Sequence, residues 1–338
     1  MKMLLNNSLD PFFNMAFDSY VLENTDFEGF YLWQNKPSVI VGLNQSVYAE
    51  VNLPFIRERG IELVRRVSGG GAVYHDLGNV NYTFVGYEDG PQRVAKALRA
   101  MGVPAELTGR NDIMVAGRKC SGYAKRLAAG RIMVHGTLMF DVNLEDLMNA
   151  LAVPGSKLSA AGIQSVRSKV ANLKEYLPFS TVEEFIGALG GVLIETSGTK
   201  PEGDDGKTKP EGDGEMTVPE GDRGKMGLKG DELSAEQIAE IEAIATKQFR
   251  SWDWVYGHSP KTDFSCTKKF PCGTVTAKYT LKHGRFTEVA FEGDFIGRKP
   301  ASELAKQLIG LRPDELAGIP CEEYFDGMAM EDFMSLFA

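Results

Sequence analysis

Apolar and polar positions alternate with two different periods along this chain, and the switches between them mark its elements. In "LDPFFNMAFDSYVLEN" apolar residues recur at helical spacing through Val21, with Asp10 placed to cap the helix and Pro11 at its first position. "GFYLWQNKPSVIVGLNQ" predicts two short strands around a Lys36-Pro37 turn. "IELVRRVSGGGAVYHDLGNVNYTFVGY" reads as strand, glycine loop, short strand, Gly78-Asn79 turn and strand. "PQRVAKALRAMG" predicts a helix ended by Gly102, and "NDIMVAGRKCSGYAKR" and "GRIMVHGTLMFDV" predict further strands. Amphipathic helices follow at "LEDLMNALAV" and "TVEEFIGALGGVLIET". Helices and antiparallel-looking strands do not alternate regularly over these first 195 residues, which predicts an α+β fold over a doubly wound parallel sheet.

The pattern lapses between residues 197 and 232. There "PEGD" occurs at 201–204, 210–213 and 219–222, in a segment without aromatic residues. Such a stretch buries too little apolar surface to offset ordering, so a mobile insertion is expected. A calcium-binding repeat is the alternative, but three nonamers do not make a stable coil alone. A helix capped by Ser234 follows, ending among Trp252, Trp254 and Tyr256. After Lys261 the alternation predicts a hairpin around His283-Gly284, then two helical segments, "PASELAKQLIG" and "CEEYFDGMAMEDFMSLF". We therefore expect a domain over 1–260, interrupted at about 197–232, and a small α+β domain over 261–338.

With 338 residues, 43% hydrophobic and 25% charged, the chain has the composition of a soluble globular protein. Its net charge of −9 argues against a general nucleic-acid binder. No stretch approaches the length of a membrane span, and no signal peptide is recognisable, so the cytoplasm is the expected location. Cys120, Cys266, Cys272 and Cys321 lack zinc-ligand spacing and read as reduced thiols.

Chemistry concentrates in "RRVSGGGAVYHD". The glycine triplet is neither a Walker loop, since no Lys-Ser/Thr follows, nor a dinucleotide fingerprint, since its spacing and βαβ context are absent. Between strands, small residues can turn several N–H groups to one point and bind an anion, with Arg65 and Arg66 lending a guanidinium fork. Alone, a plain hairpin loop accounts for it equally well. Lys119, after the Ala116-Gly117-Arg118 turn, either points into a pocket or is a solvated strand lysine.

Taken in order, "DPFFNMAFD", "YLWQNKPSVIVGLNQ", "RRVSGGGAVYHDLGNVNYTF", "GRNDIMV…GRKCSGYA", "HGTLMFDVNL" and "KLSAAGIQSVRSKVANL" resemble the lipoate–protein ligase A family of the biotin/lipoate ligase superfamily. The resemblance implies a mixed, largely antiparallel-sheet catalytic domain and a small C-terminal accessory domain that closes or reorients near Thr262–Phe270. It implies ATP-dependent activation of lipoate to lipoyl-AMP, with Mg²⁺, and transfer to a lysine of an apo lipoyl domain. Acceptors of this kind are 2-oxoacid dehydrogenase acyltransferase subunits and the glycine cleavage H protein. Lys119 falls on the family's essential lysine, and Arg66, Ser68, Gly69, Gly70 and Gly71 on its lipoate loop. His75 and Asn79 fall beside the lipoyl-adenylate, with Asn79 and the Tyr74 backbone near adenine. Residues 157 to 174 match the adenylate loop, with Arg167 for phosphate. Trp33, Val73 and Ala124 are candidates for the apolar slot, His135 for lipoate, Thr137 and Gly71 for the adenylate, and Asp112 for Mg²⁺. Val67 stands where a third arginine often occurs, and the PEGD insertion is not a family feature.

Two other functions compete with ligation. One is a lipoyl or octanoyl transferase acting without ATP through a cysteine, for which Cys120 beside Lys119 is the nearest thiol. Strand neighbours face opposite ways, so Cys120 should face away if Lys119 faces in. The other is lipoate binding without catalysis.

Overall fold

The computed structural model describes residues 1–108, 111–151, 169–196, 230–259 and 261–337. Arg167 and nearly all of the PEGD insertion lie outside the described residues.

The fold is α+β. Its centre is a seven-stranded sheet in the order β1 (Lys2–Met3), β2 (Gly29–Trp33), β6 (Asn79–Val85), β10 (Arg131–Met139), β9 (Arg118–Ala128), β8 (Asp112–Val115) and β7 (Ala105–Thr108). Only the β1–β2 pairing is parallel. Strand β2 is buried on both faces, which is why its sequence GFYLW shows no polar alternation. Phe30 and Leu32 pack with Phe84, Leu98, Phe140 and Phe185 on one face, under helices α4 (Gly90–Ala100) and α6 (Val182–Glu195). Tyr31 and Trp33 pack with Phe17, Val21 and Met133 on the other, under α1 (Pro11–Asn24). Asp10 caps α1 as expected, accepting from the Phe12 N–H.

The two strands predicted around Lys36-Pro37 do not pair with each other. Strand β3 (Ser38–Val41) belongs to a second sheet, parallel to β4 (Glu62–Arg65) and antiparallel to β5 (Val73–His75). The short helices α2 (Val47–Glu50) and α3 (Leu53–Glu58) connect β3 to β4, and α5 (Leu144–Ala150) packs beside them. The C-terminal region holds three strands, β11 (Thr262–Phe270), β12 (Gly273–Lys282) and β13 (Arg285–Gly293), where a hairpin was expected. The expected turn is there: His283 and Gly284 have φ of 51° and 70°. Of the last two helical segments, α8 (Ala301–Leu308) forms, while the second breaks into short 3-10 turns around α9 (Met330–Met334). The helix predicted after Ser234 ends as α7 (Ala235–Ile244), and the chain then widens into π-type turns over Ala245–Phe249 and Asp253–Gly257.

Those wide turns meet the end of β4. Arg65 is fully buried, and its guanidinium donates to the carbonyls of Gly42 (2.8 Å), Gln45 (2.7 Å) and Val255 (2.7 Å) and to Ser259 Oγ (3.2 Å). Trp254 Nε1 returns a bond to the Arg65 carbonyl at 2.9 Å. One side chain thus ties the loop after β3 to the segment that leads into β11. No described helix is long and apolar enough to cross a membrane.

Arg65→Met removes those donors and strands several buried carbonyls, at about 1–3 kcal/mol each when unsatisfied. Urea unfolding should show a fall in stability of at least about 3 kcal/mol. An unchanged midpoint would contradict the assignment.

Candidate active site

Between the two sheets lies a cleft of about 620 Å³, including the part open to solvent. Helix α1, strand β3, the glycine loop, β5, β9 and β10 all contribute to its lining. Arg66 and Lys119 line it together, as do Gly70, Gly71, Val73, His75, Trp33, Ala124, His135 and Thr137. Met15 and Ile40, which the sequence did not single out, add to its apolar wall.

The glycine loop is organised by Arg66. Its Nη2 donates to the carbonyls of Gly69 (2.6 Å) and Gly71 (2.8 Å), its Nε to Ser68 Oγ (3.1 Å), and its Nη1 to the Ile40 carbonyl (3.1 Å). The guanidinium was expected to be a free fork for a ligand; most of its hydrogens instead fold the loop around it. Burial pulls its pKa down to about 10, still well above neutral, so a buried cation faces the cleft. No carboxylate pairs with it among the described residues. Gly70 sits at φ +91°, a conformation costly for other residues, and passes so close to Gly42 that a Cβ there would strike the Gly70 carbonyl. Gly69 and Gly71 have open space where a Cβ would lie.

Ser68 and Gly69 support the site from behind the lining. Ser68 Oγ lies 2.5 Å from His135 Nε2, and His135 Nδ1 lies 2.7 Å from Asp18 Oδ2. Asp18 is fully buried and also accepts from Tyr31 (2.5 Å) and Thr83 (3.1 Å), while Thr83 accepts from Trp33 Nε1 (3.0 Å). Since Asp18 only accepts, His135 carries a hydrogen on Nδ1, and Nε2 faces the Ser68 hydroxyl. Asp18 sits in the middle of α1 (Pro11–Asn24), where a single acidic residue gives no signal in sequence.

Lys119 reaches the cleft from β9. Its Nζ lies 2.7 Å from Asp112 Oδ1, and Gly122 leaves the room it needs. Its backbone is clamped from the other side: its N–H donates to the Lys169 carbonyl (2.8 Å) and its carbonyl accepts from Ala171 N–H (2.9 Å). The exit of the segment expected to form the adenylate loop therefore runs alongside this lysine. A register shift between Ile113 and Met114 locally breaks the β8–β9 ladder. Cys120 faces away, fully buried in the apolar core, where burial pushes its thiol up to about 12.

Tyr74, Asn79 and Asp112 are not themselves among the residues that line the cleft. The Tyr74 side chain packs into the core beneath β3 and leaves the cleft, because its strand neighbours Val73 and His75 take the cleft side. Asn79 is buried behind Asn81, donating to its Oδ1 at 3.0 Å, and it is Asn81 that reaches the cleft. Asp112 is paired with Lys119, so it is not a free metal ligand here. No group of three acidic, histidine or cysteine side chains converges among the described residues.

An α+β frame thus holds, between its two sheets, a cleft that is cationic at Arg66 and Lys119 and apolar along Met15, Trp33 and Ile40. The lipoyl protein ligase A/B catalytic domain model matches residues 10–193, and that of the bacterial lipoate protein ligase C-terminus matches residues 259–337. The chain is 37% identical to lipoate-protein ligase LplJ of Bacillus subtilis, over 98% of this chain and 97% of that protein. Among solved structures it resembles the bipartite lipoate protein ligase of Thermoplasma acidophilum, with a TM-score of 0.61 at 23% identity over 76% of this chain and 96% of that one. A lipoate-protein ligase A bound with ATP gives a TM-score of 0.58 at 23% identity over 76% of this chain and 98% of that one. The chain belongs to the lipoate-protein ligase family and is an enzyme, a ligase.

The loop geometry separates its glycines. Gly70→Ala should cost about 1–2 kcal/mol from the left-handed backbone alone, whereas Gly71→Ala should stay within about 0.5 kcal/mol. Thermal unfolding of both variants checks this, and equal losses would contradict it.

Proposed function

We propose that this enzyme couples ATP to the attachment of lipoate to lipoyl domains. The observation that carries the reading is the shared cleft: the Arg66 guanidinium and the Lys119 amine line the same cavity, beside an apolar slot of Met15, Trp33, Ile40 and Val73. A short carboxylic acid with an apolar tail matches that division. In the first half-reaction the lipoate carboxylate oxygen attacks the α-phosphorus of ATP, and the bond to pyrophosphate breaks. Two anions approach each other in this step. The protein's task is to hold them and neutralise growing charge, which buried Arg66 and Lys119 are suited to do without covalent chemistry. The Lys119–Asp112 contact must loosen or be shared as phosphate arrives. In the second half-reaction the ε-amine of an acceptor lysine attacks the acyl carbon, an amide forms, and AMP leaves.

A relative of the same fold has been solved with ATP bound, which supports the nucleotide assignment. Mg²⁺ fits only in a limited way. With no converging acidic cluster among the described residues, it would be held mainly by nucleotide phosphates, with Asp112 as the nearest carboxylate candidate. The acceptors we propose are apo lipoyl domains of 2-oxoacid dehydrogenase acyltransferase subunits or the glycine cleavage H protein. The domain division at about residue 260 and reorientation of the C-terminal unit belong to the same proposal. Arg65, which joins the loop after β3 to the segment before β11, is the contact through which the two would communicate.

The cysteine-transferase alternative finds no support at Cys120. A thiol buried in the core with its pKa near 12 is neither accessible nor ionised at neutral pH.

Lys119→Ala should reduce lipoate-dependent pyrophosphate release about 10²–10³-fold while leaving circular dichroism unchanged. Release at the wild-type rate would rule the role out. In the native protein at neutral pH, iodoacetamide should leave Cys120 unmodified, as read by peptide mass spectrometry. Rapid alkylation there would revive the thiol route.

A further inference from the structure

His75 has an assigned place in the cleft but no assigned chemistry. It is 3% exposed, and its Nε2 has no hydrogen-bond partner among the described residues. Its Nδ1 lies 3.0 Å from Asn35 Nδ2. Whether that contact donates to or accepts from the ring decides which nitrogen faces the ligand with a hydrogen.

The answer is fixed from the backbone outward. The Asn14 amide faces the carbonyls of Ser8 and Gln34, both at 2.9 Å. Carbonyl oxygens only accept, so the Asn14 atom facing them is its nitrogen. That nitrogen also lies 2.8 Å from the Asn35 amide, which must present its oxygen. The other end of Asn35, facing His75, is then its NH₂ group. An N–H of Asn35 pointing at Nδ1 requires Nδ1 to be the bare, accepting nitrogen, and the ring hydrogen sits on Nε2. The reverse tautomer would set two donors against each other in a dry core. Asn14 and Asn35 are both fully buried, so water does not relieve such a clash.

We infer that Asn14 and Asn35 are positioning residues that lock His75 as a neutral Nε2–H donor aimed into the cleft at an oxygen of the acyl ligand. This rests on the reading of the cleft as the lipoate site. The ring makes a fixed dipole toward a carboxylate or acyl-phosphate oxygen, and its only lone pair is already used. Burial, with Arg66 and His135 nearby, lowers its pKa to about 3, so the same form persists across the working range. Asn81 Nδ2, also at the cleft and without a partner among the described residues, adds a second donor. His75 is therefore excluded as the general base of either half-reaction.

Long-range ¹H–¹⁵N correlation of the ¹⁵N-histidine-labelled full chain, without ligand, reads the tautomer directly. We expect a pyrrole-like Nε2 and a pyridine-like Nδ1 for His75, unchanged from about pH 5 to about pH 9. A hydrogen on Nδ1, or a titration within that range, overturns the inference. Asn35→Asp, which can only accept, should invert the tautomer and weaken lipoate binding by calorimetry about 10-fold. An inverted ring with unchanged lipoate affinity also overturns it. If that variant does not fold, His75→Gln must retain clearly more lipoate affinity than His75→Leu, because only glutamine keeps the donor; equal losses overturn it. A wild-type protein that binds no lipoate would instead refute the functional reading and leave the tautomer result standing.

Discussion

Two adjacent arginines are buried at the end of β4 with no carboxylate partner among the described residues, and the arrangement of the molecule follows from how each is satisfied. Successive residues face opposite ways, so Arg65 turns toward the segment before β11 while Arg66 turns into the cleft. Both are held by carbonyl and hydroxyl oxygens. Carbonyl dipoles solvate a guanidinium but do not cancel its charge, so a residual positive field remains inside the cleft. An anionic ligand lowers the energy of that arrangement, and a neutral one does not.

The remaining parts of the site refine this field. Asp112 holds the Lys119 amine in place, and the Asp18–His135–Ser68 chain braces Arg66 from behind. The asparagine chain behind His75 turns a titratable ring into a fixed donor. The Asp18–His135–Ser68 and asparagine chains are buried polar groups that satisfy one another behind the ligand-facing atoms. The apolar wall from α1 and β3 then selects the tail.

Much of this could be read in the sequence because it depends on local spacing. Asp10-Pro11, the Ser234 cap and the His283-Gly284 turn each sit within a few residues of what they stabilise. The glycine loop and Lys119 were legible through the order of several motifs taken together. What escaped depends on pairing across distance. The partner sheets of β2 and β3 differ although their sequences adjoin. Asp18, Asn14 and Asn35 look like ordinary polar residues until the fold brings them to His135 and His75. The resemblance placed Asn79 and the Tyr74 backbone by motif position; the Tyr74 side chain packs into the core, and Asn81 reaches the cleft ahead of Asn79.

The claim that the cleft is tuned to negative charge can be tested with one pair of ligands. Lipoate and lipoamide share size and tail and differ in the charge of the head group. Calorimetric titration of the wild-type protein at neutral pH should show lipoate binding at least about 10-fold more tightly, the span expected for charge-assisted over neutral hydrogen bonds. Equal affinity for the two would contradict the account.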